Sequence, residues 1–175
     1  MPASIYEREL KGILEGDVNV LKRVIKRCDA ETSRKYLLVE RMPFLTVRAA
    51  GSLGFDLLAV RGEMAFPIEV KSSSERSIMF TSNSSREVRQ AELFLDRCER
   101  SGLFPIYAFR LKNGKNDLWR TFKLGVDKVS RNLETIYRAL PELDKTRQNN
   151  YVLRWDNGMP LGDLIELLCT PPKTG

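Results

Sequence analysis

The 175 residues contain no histidine and only three cysteines, Cys28, Cys98 and Cys169, which lie far apart without CxxC spacing. The first absence removes the imidazole ligands that most transition-metal sites use, and the second argues against both a zinc site and a disulfide framework. The cysteines read instead as buried free thiols. No apolar run approaches the ~18 residues needed to cross a bilayer, so no membrane segment is expected. The N-terminal stretch lacks the apolar core of a secretory signal, which predicts a cytoplasmic, intracellular protein. There is no internal repeat, and the one biased segment is serine-rich, over residues 72–85.

Hydrophobic residues make up 42% of the chain and charged residues 30%, ordinary values for a globular protein. A net charge of +6 leans towards polyanionic partners. Two apolar runs, 55–60 and 65–70, flank Arg61, Gly62 and Glu63, and this pattern predicts a β-hairpin. Asp56, Glu69 and Lys71 interrupt or bound those runs, where charges are rarely held without a partner or a task. Side chains two apart on a strand share a face, so Glu69 and Lys71 point the same way. Folding about Gly62 brings Asp56 beside Glu69. Two adjacent carboxylates repel unless a cation lies between them. With no histidine and no clustered cysteine, a hard ion with oxygen ligands, Mg2+ or alternatively Mn2+, suits the pair. Lys71 would orient or deprotonate a water there, or hold a phosphate.

The spacing predicts a helix over 5–14 with Ser4 and Glu7 as a capping box, and a second from Asp17 with a basic face of Lys22, Arg23, Lys26 and Arg27. Further helical structure follows to Arg41, then a strand over 44–47. The small residues from Arg48 to Gly54, with Ser52 among them, form either a plain turn or a loop that approaches a phosphate. Residues 72–85, with Ser72 and Arg76, read as a surface loop or as a polar, basic surface that orders on substrate. Expected next are a helix over 86–101, strands over 104–111 and 118–124, a helix over 126–140, a charged linker over 141–150, a short edge strand over 151–155 and a closing helix through Leu161, Leu164, Ile165 and Leu168.

Taken in order, Tyr6-Glu7-Arg8-Glu9-Leu10, Val47-Arg48 with the loop to Ser52, Phe55-Asp56-Leu57-Leu58-Ala59 and Ile68-Glu69-Val70-Lys71 resemble the motif series of the archaeal Holliday junction resolvases, within the PD-(D/E)XK nuclease superfamily. The strand from Pro105 to Arg110 and Trp119 follow the same layout. The resemblance implies an α/β fold: a restriction-endonuclease-like core with a central mixed sheet flanked by helices. It implies one nuclease domain, with a core over 4–124 that includes a helical insertion at about 17–42, and a C-terminal extension over 125–175. It further implies a homodimer that hydrolyses phosphodiesters of four-way DNA junctions with Mg2+ in recombination and repair, associated with the nucleoid. Asp56 and Glu69 would carry the metal, Lys71 the attacking water, Glu7 the third carboxylate and Ser52 the loop hydroxyl. Arg8 and Arg48 would meet phosphates, joined by Ser52, Ser72 and Arg76. Two departures stand out: Phe55 replaces the family's proline before the aspartate, and the interval from Glu7 to Asp56 is long. Glu9 or Glu31 therefore remain alternatives to Glu7. Two alternatives stand beside this reading: a restriction- or repair-type endonuclease with the same site acting on duplex or flapped DNA, and a non-catalytic junction-binding protein whose carboxylates no longer hold metal.

Overall fold

Helix α1 (Ile5–Leu14) starts where Ser4 Oγ accepts from the Glu7 amide at 3.1 Å and the Glu7 carboxylate accepts from the Ser4 amide at 3.2 Å. This reciprocal cap satisfies two of the amides that every helix start leaves without a partner. Asp17 caps α2 (Val18–Ile25) through the Asn19 and Val20 amides, and Asp29 caps α3 (Ala30–Leu37) through the Thr32 amide. A 3-10 turn, Leu38–Glu40, leads on to the sheet. In this computed structural model, residues 4–49, 53–80 and 85–170 are described. The expected Ser52 loop position, the serine-rich stretch 81–84 and the tail 171–175 lie outside them.

Six strands form the main sheet: β1 (Leu45–Arg48), β2 (Leu57–Arg61), β3 (Met64–Ser73), then β5 (Ile106–Leu111), β6 (Trp119–Lys123) and β9 (Met159–Pro160), in the spatial order β1-β2-β3-β5-β6-β9. Only β3 and β5 run parallel; the other neighbours are antiparallel. Parallel neighbours need a long crossover, and α4 (Ser85–Arg100) supplies it. The architecture is therefore α/β, with a mixed central sheet flanked by helices. Strand β5 is buried along its whole length, as a strand covered on both faces should be. Its alternation sorts the core into two layers. Ile106 and Ala108 join Leu10, Ile13 and Ile68 on the side of α1 and α6 (Leu161–Cys169), while Tyr107 and Phe109 pack with Phe94 and Cys98 of α4.

A second sheet departs from the expectations. Strand β8 (Tyr151–Arg154) is not an edge; it lies between β4 (Ser77–Met79) and β7 (Asp144–Lys145). Residues expected as a serine-rich loop and a charged linker thus contribute strands on either side of it. Strand β3 also runs on to Ser73, because Ser72 and Ser73 pair with Arg110 and Leu111. The helix expected over 126–140 shrinks to a 3-10 turn, Arg131–Leu133, and α5 (Glu134–Ala139). Its first residues bond elsewhere: the Val126 amide donates to Tyr137 Oη and the Ser130 amide to the Gly102 carbonyl. Amides committed to tertiary acceptors leave no ladder for a longer helix. The three cysteines are free, Cys98 and Cys169 buried and Cys28 half-buried.

Candidate active site

The β2–β3 hairpin turns at Gly62, whose φ of +56° is in the left-handed region that glycine enters without penalty. Its register pairs Leu57 with Ile68, which sets Asp56 opposite Glu69. Backbone bonds hold Asp56 on both sides, its amide donating to the Ile68 carbonyl at 3.0 Å and its carbonyl accepting from Ala49 at 2.8 Å. One carboxylate oxygen, Oδ2, accepts from the Val70 amide at 2.8 Å.

Glu69 is only 3% exposed. Its Oε1 accepts from Lys71 Nζ at 2.8 Å and from Gln90 Nε2 of α4 at 2.9 Å. Its Oε2 is buried and, among the described residues, meets no donor. A buried carboxylate oxygen left alone is costly, about 1–3 kcal/mol or more for a charged group. Burial pushes the Glu69 carboxyl up to about 7; Lys71 opposes this and Asp56 adds to it. Burial also raises Asp56, against the pull of the Val70 amide, with the Glu7 charge adding to the rise. The two carboxyls are close enough to share a hydrogen bond, which requires a proton between them. The pair thus presents a gap that a positive charge fills, either a proton or a cation.

Glu7 acts on Asp56 through its charge. Its own oxygens are engaged by the Ser4 amide and by Arg48 Nη2, the latter at 3.7 Å. Among the described residues, no three His, Cys, Asp or Glu side chains are gathered to hold a metal ion. The donors that converge are Asp56 and Glu69, an all-oxygen pair that fits a hard divalent cation. Glu9 projects away from the pair and accepts from Arg110 Nε at 2.7 Å and Trp119 Nε1 at 2.9 Å. Glu31 is 74% exposed and pairs with Lys35 at 3.1 Å.

The structure places the remaining expected contacts differently from one another. Arg48 adjoins Glu7, whereas Arg8 lines a groove on the far side of α1. Ser72 lies one residue beyond Lys71 and is paired with Arg110. Arg76 is held by Asp156 through two bonds, one of 2.9 Å, and lies over the Trp155 ring at 4.5 Å. Ser52 falls outside the described residues. Sequence reasoning missed Gln90. The only signal for it was a polar residue beside the apolar stripe of α4, next to Ala91.

No protein-family model matches this sequence, and no curated protein matches it. Among solved structures, the chain is similar to Hjc of Archaeoglobus fulgidus, a Holliday junction resolvase from an archaeal hyperthermophile. The identity is 21%, the match covers 73% of this chain and 89% of that one, and the TM-score is 0.44.

Proposed function

We propose that this chain is a Mg2+-dependent endonuclease that hydrolyses phosphodiester bonds of branched DNA, with the four-way junction as its substrate class. The observation that carries the reading is the buried Asp56–Glu69 carboxylate pair, in which Glu69 Oε2 meets no donor among the described residues and only a shared proton or a cation can join the two groups. A structural ion pair has no use for it: Lys71 and Gln90 already satisfy Oε1, and burying a second, unpaired oxygen only costs stability. The ordered motif series from Tyr6 to Lys71 supports the same reading, and so do the net charge of +6 and the basic residues near the site.

In this reading Asp56 and Glu69 hold the divalent ion, with Mn2+ as a substitute, and Glu7 adds negative charge behind Asp56. The ion, when bound, lowers the pKa of water and polarises the scissile phosphate. Lys71 keeps Glu69 oriented and offers its ammonium to the charge that develops on the phosphate oxygens. Gln90 is a positioning residue, since it holds the same carboxylate oxygen. Arg48, Arg8 and Ser72, together with Ser52 and Arg76, meet the phosphate backbone. The protein works as a homodimer with one such site per subunit, in DNA recombination and repair.

The test is cleavage of a synthetic four-way junction and of a matched linear duplex, with and without Mg2+. Glu69→Ala is expected to abolish cutting while leaving junction binding in EDTA largely intact. Mg2+-dependent cutting that persists in this variant overturns the assignment. Equal cutting of the linear duplex replaces the junction with ordinary duplex DNA as the substrate.

A further inference from the structure

On the far side of α1 from Glu7, a groove of about 660 Å³ opens between α1, α2 and the β5–β6 hairpin. Among the described residues, five cationic side chains line it, Arg8, Arg23, Arg27, Arg110 and Lys112, against a single carboxylate, Glu9. That carboxylate is engaged by Arg110 and Trp119. Arg8, Arg23, Arg27 and Lys112 are exposed, and among the described residues no side-chain hydrogen bond or ion pair is made by any of the four. Arg110 forms part of the floor; it is 6% exposed and lies 5.4 Å from the centre of the Tyr6 ring.

A solvated basic helix face would show no such construction. The walls here are tied to each other. The Asn116 amide donates to the Arg27 carbonyl at 3.0 Å, and the Asn116 side chain both accepts from the Asp29 amide (3.1 Å) and donates to the Asp29 carboxylate (2.9 Å). Asn116 accepts a φ of +63° to make these bonds, a conformation uncommon outside glycine. Free guanidinium groups gathered around a concave surface can each offer a fork of N–H donors to phosphate oxygens. Trp119 is 1% exposed and closed to base stacking, and the half-buried Tyr6 ring has Arg110 over it at 5.4 Å. The groove is suited to a sugar-phosphate backbone rather than to bases.

Its position also separates it from the carboxylate pair. Glu69 and Lys71 point to the α4 face of the sheet, while Ser72 and its partner Arg110 point to the α1 face, one residue further along the same strand. One residue of strand is about 3.3 Å. The two features therefore flank the same end of β3 from opposite faces, and a strand lying in the site does not fill the groove.

We propose that this groove binds the phosphate backbone of a second, uncut stretch of the DNA substrate, and that α2 of the helical insertion is there to form its outer wall. The inference rests on the nuclease reading only for the identity of the DNA as substrate. It is tested in EDTA, where binding is read without cleavage, by titrating the full chain with a fluorescent four-way junction over a range of salt concentrations. The triple variant Arg23→Gln, Arg27→Gln, Lys112→Gln should bind about 10- to 100-fold more weakly at moderate salt. Its slope of log affinity against log salt should be shallower by about 2 to 3, from about 0.9 per phosphate contact. If the triple variant melts below the parent chain, Arg23→Gln and Arg27→Gln alone are read in the same way, each with a slope change near 1. Unchanged affinity and slope in a folded variant overturn the proposal. So does loss of inorganic tripolyphosphate binding with DNA binding intact, which would make the groove a site for a free anion. A chain that shows the slope change but never cuts junction DNA overturns the nuclease reading and leaves the groove standing.

Discussion

Glu69 meets two donors at one oxygen and none at the other, and this asymmetry has a measurable pH signature. Its folded-state pKa of about 7 lies above the ordinary 4.5, so the folded protein binds this proton more tightly than the unfolded chain does. The stabilisation is complete below about pH 4.5 and is lost as pH rises towards 7. A shift of this size corresponds to about 3 kcal/mol. Glu69→Gln, which cannot ionise, should flatten this part of the profile in EDTA and leave the metal-free variant more stable than the parent near neutral pH. Melting temperatures of both proteins in EDTA across that range check it, and parallel profiles would sink it. Added Mg2+ should raise the melting temperature of the parent more at neutral than at acidic pH, and should raise that of the glutamine variant little at either. Asp56, Glu69 and Lys71 were legible from their place in two apolar runs. Gln90 was not, because a glutamine on a helix has nothing in its local pattern that names a partner on a strand.

Helices α3 and α6 are joined to the sheet through one buried carboxylate. Asp117, at the start of β6, accepts from Tyr36 Oη of α3 at 2.8 Å, from the Trp119 amide at 3.0 Å and from the Gly162 amide of α6 at 2.8 Å. Tyr36 is completely buried. Asp117→Ala strands a hydroxyl and two amides, each worth about 1–3 kcal/mol. Urea denaturation should show a loss of at least about 3 kcal/mol, and a loss below 1 kcal/mol would remove Asp117 from this role. Helices α1 and α2 were legible because Ser4 and Asp17 cap them and their apolar residues recur at helical spacing, whereas α3 was expected only as further helical structure, its Asp29 cap being a finding of the structure. The 126–140 helix failed for the opposite reason. Its periodicity was helical, but the Val126 and Ser130 amides found acceptors in Tyr137 and Gly102 that lie outside any local window.

At the scale of the molecule, one mixed sheet separates two apolar layers, and the charged chemistry collects at the end of β3, where the layers give way to solvent. Asp56 and Glu69 lie towards one face there and the basic groove towards the other. A homodimer would set two such ends in one particle, as the two cuts of a four-way junction require. Light scattering at micromolar concentration should return twice the chain mass, and a monomer at that concentration would remove the homodimer from the proposal. The sheet order itself was only partly legible. The hairpins β2–β3 and β5–β6 announce themselves by their turns, whereas β4 pairs with β8 across a long interval of sequence and β7 of the short β7–β8 hairpin lies within a charged stretch that carries no apolar alternation.

The sequence by itself determined the starts of α1 and α2, the two hairpins and the juxtaposition of Asp56 with Glu69, because each follows from caps, turns and a two-residue side-chain period that act over a few residues. Only the tertiary structure decided that the Glu7 charge acts on Asp56 while Glu9 turns to Arg110 and Trp119, since α1 presents the two glutamates to different partners. It alone brought Gln90 to Glu69, made β8 the middle of a second sheet and closed the basic groove between α1, α2 and the β5–β6 hairpin. These are contacts between residues distant in the chain, and their partners are chosen by packing and hydrogen-bond satisfaction rather than by neighbouring sequence.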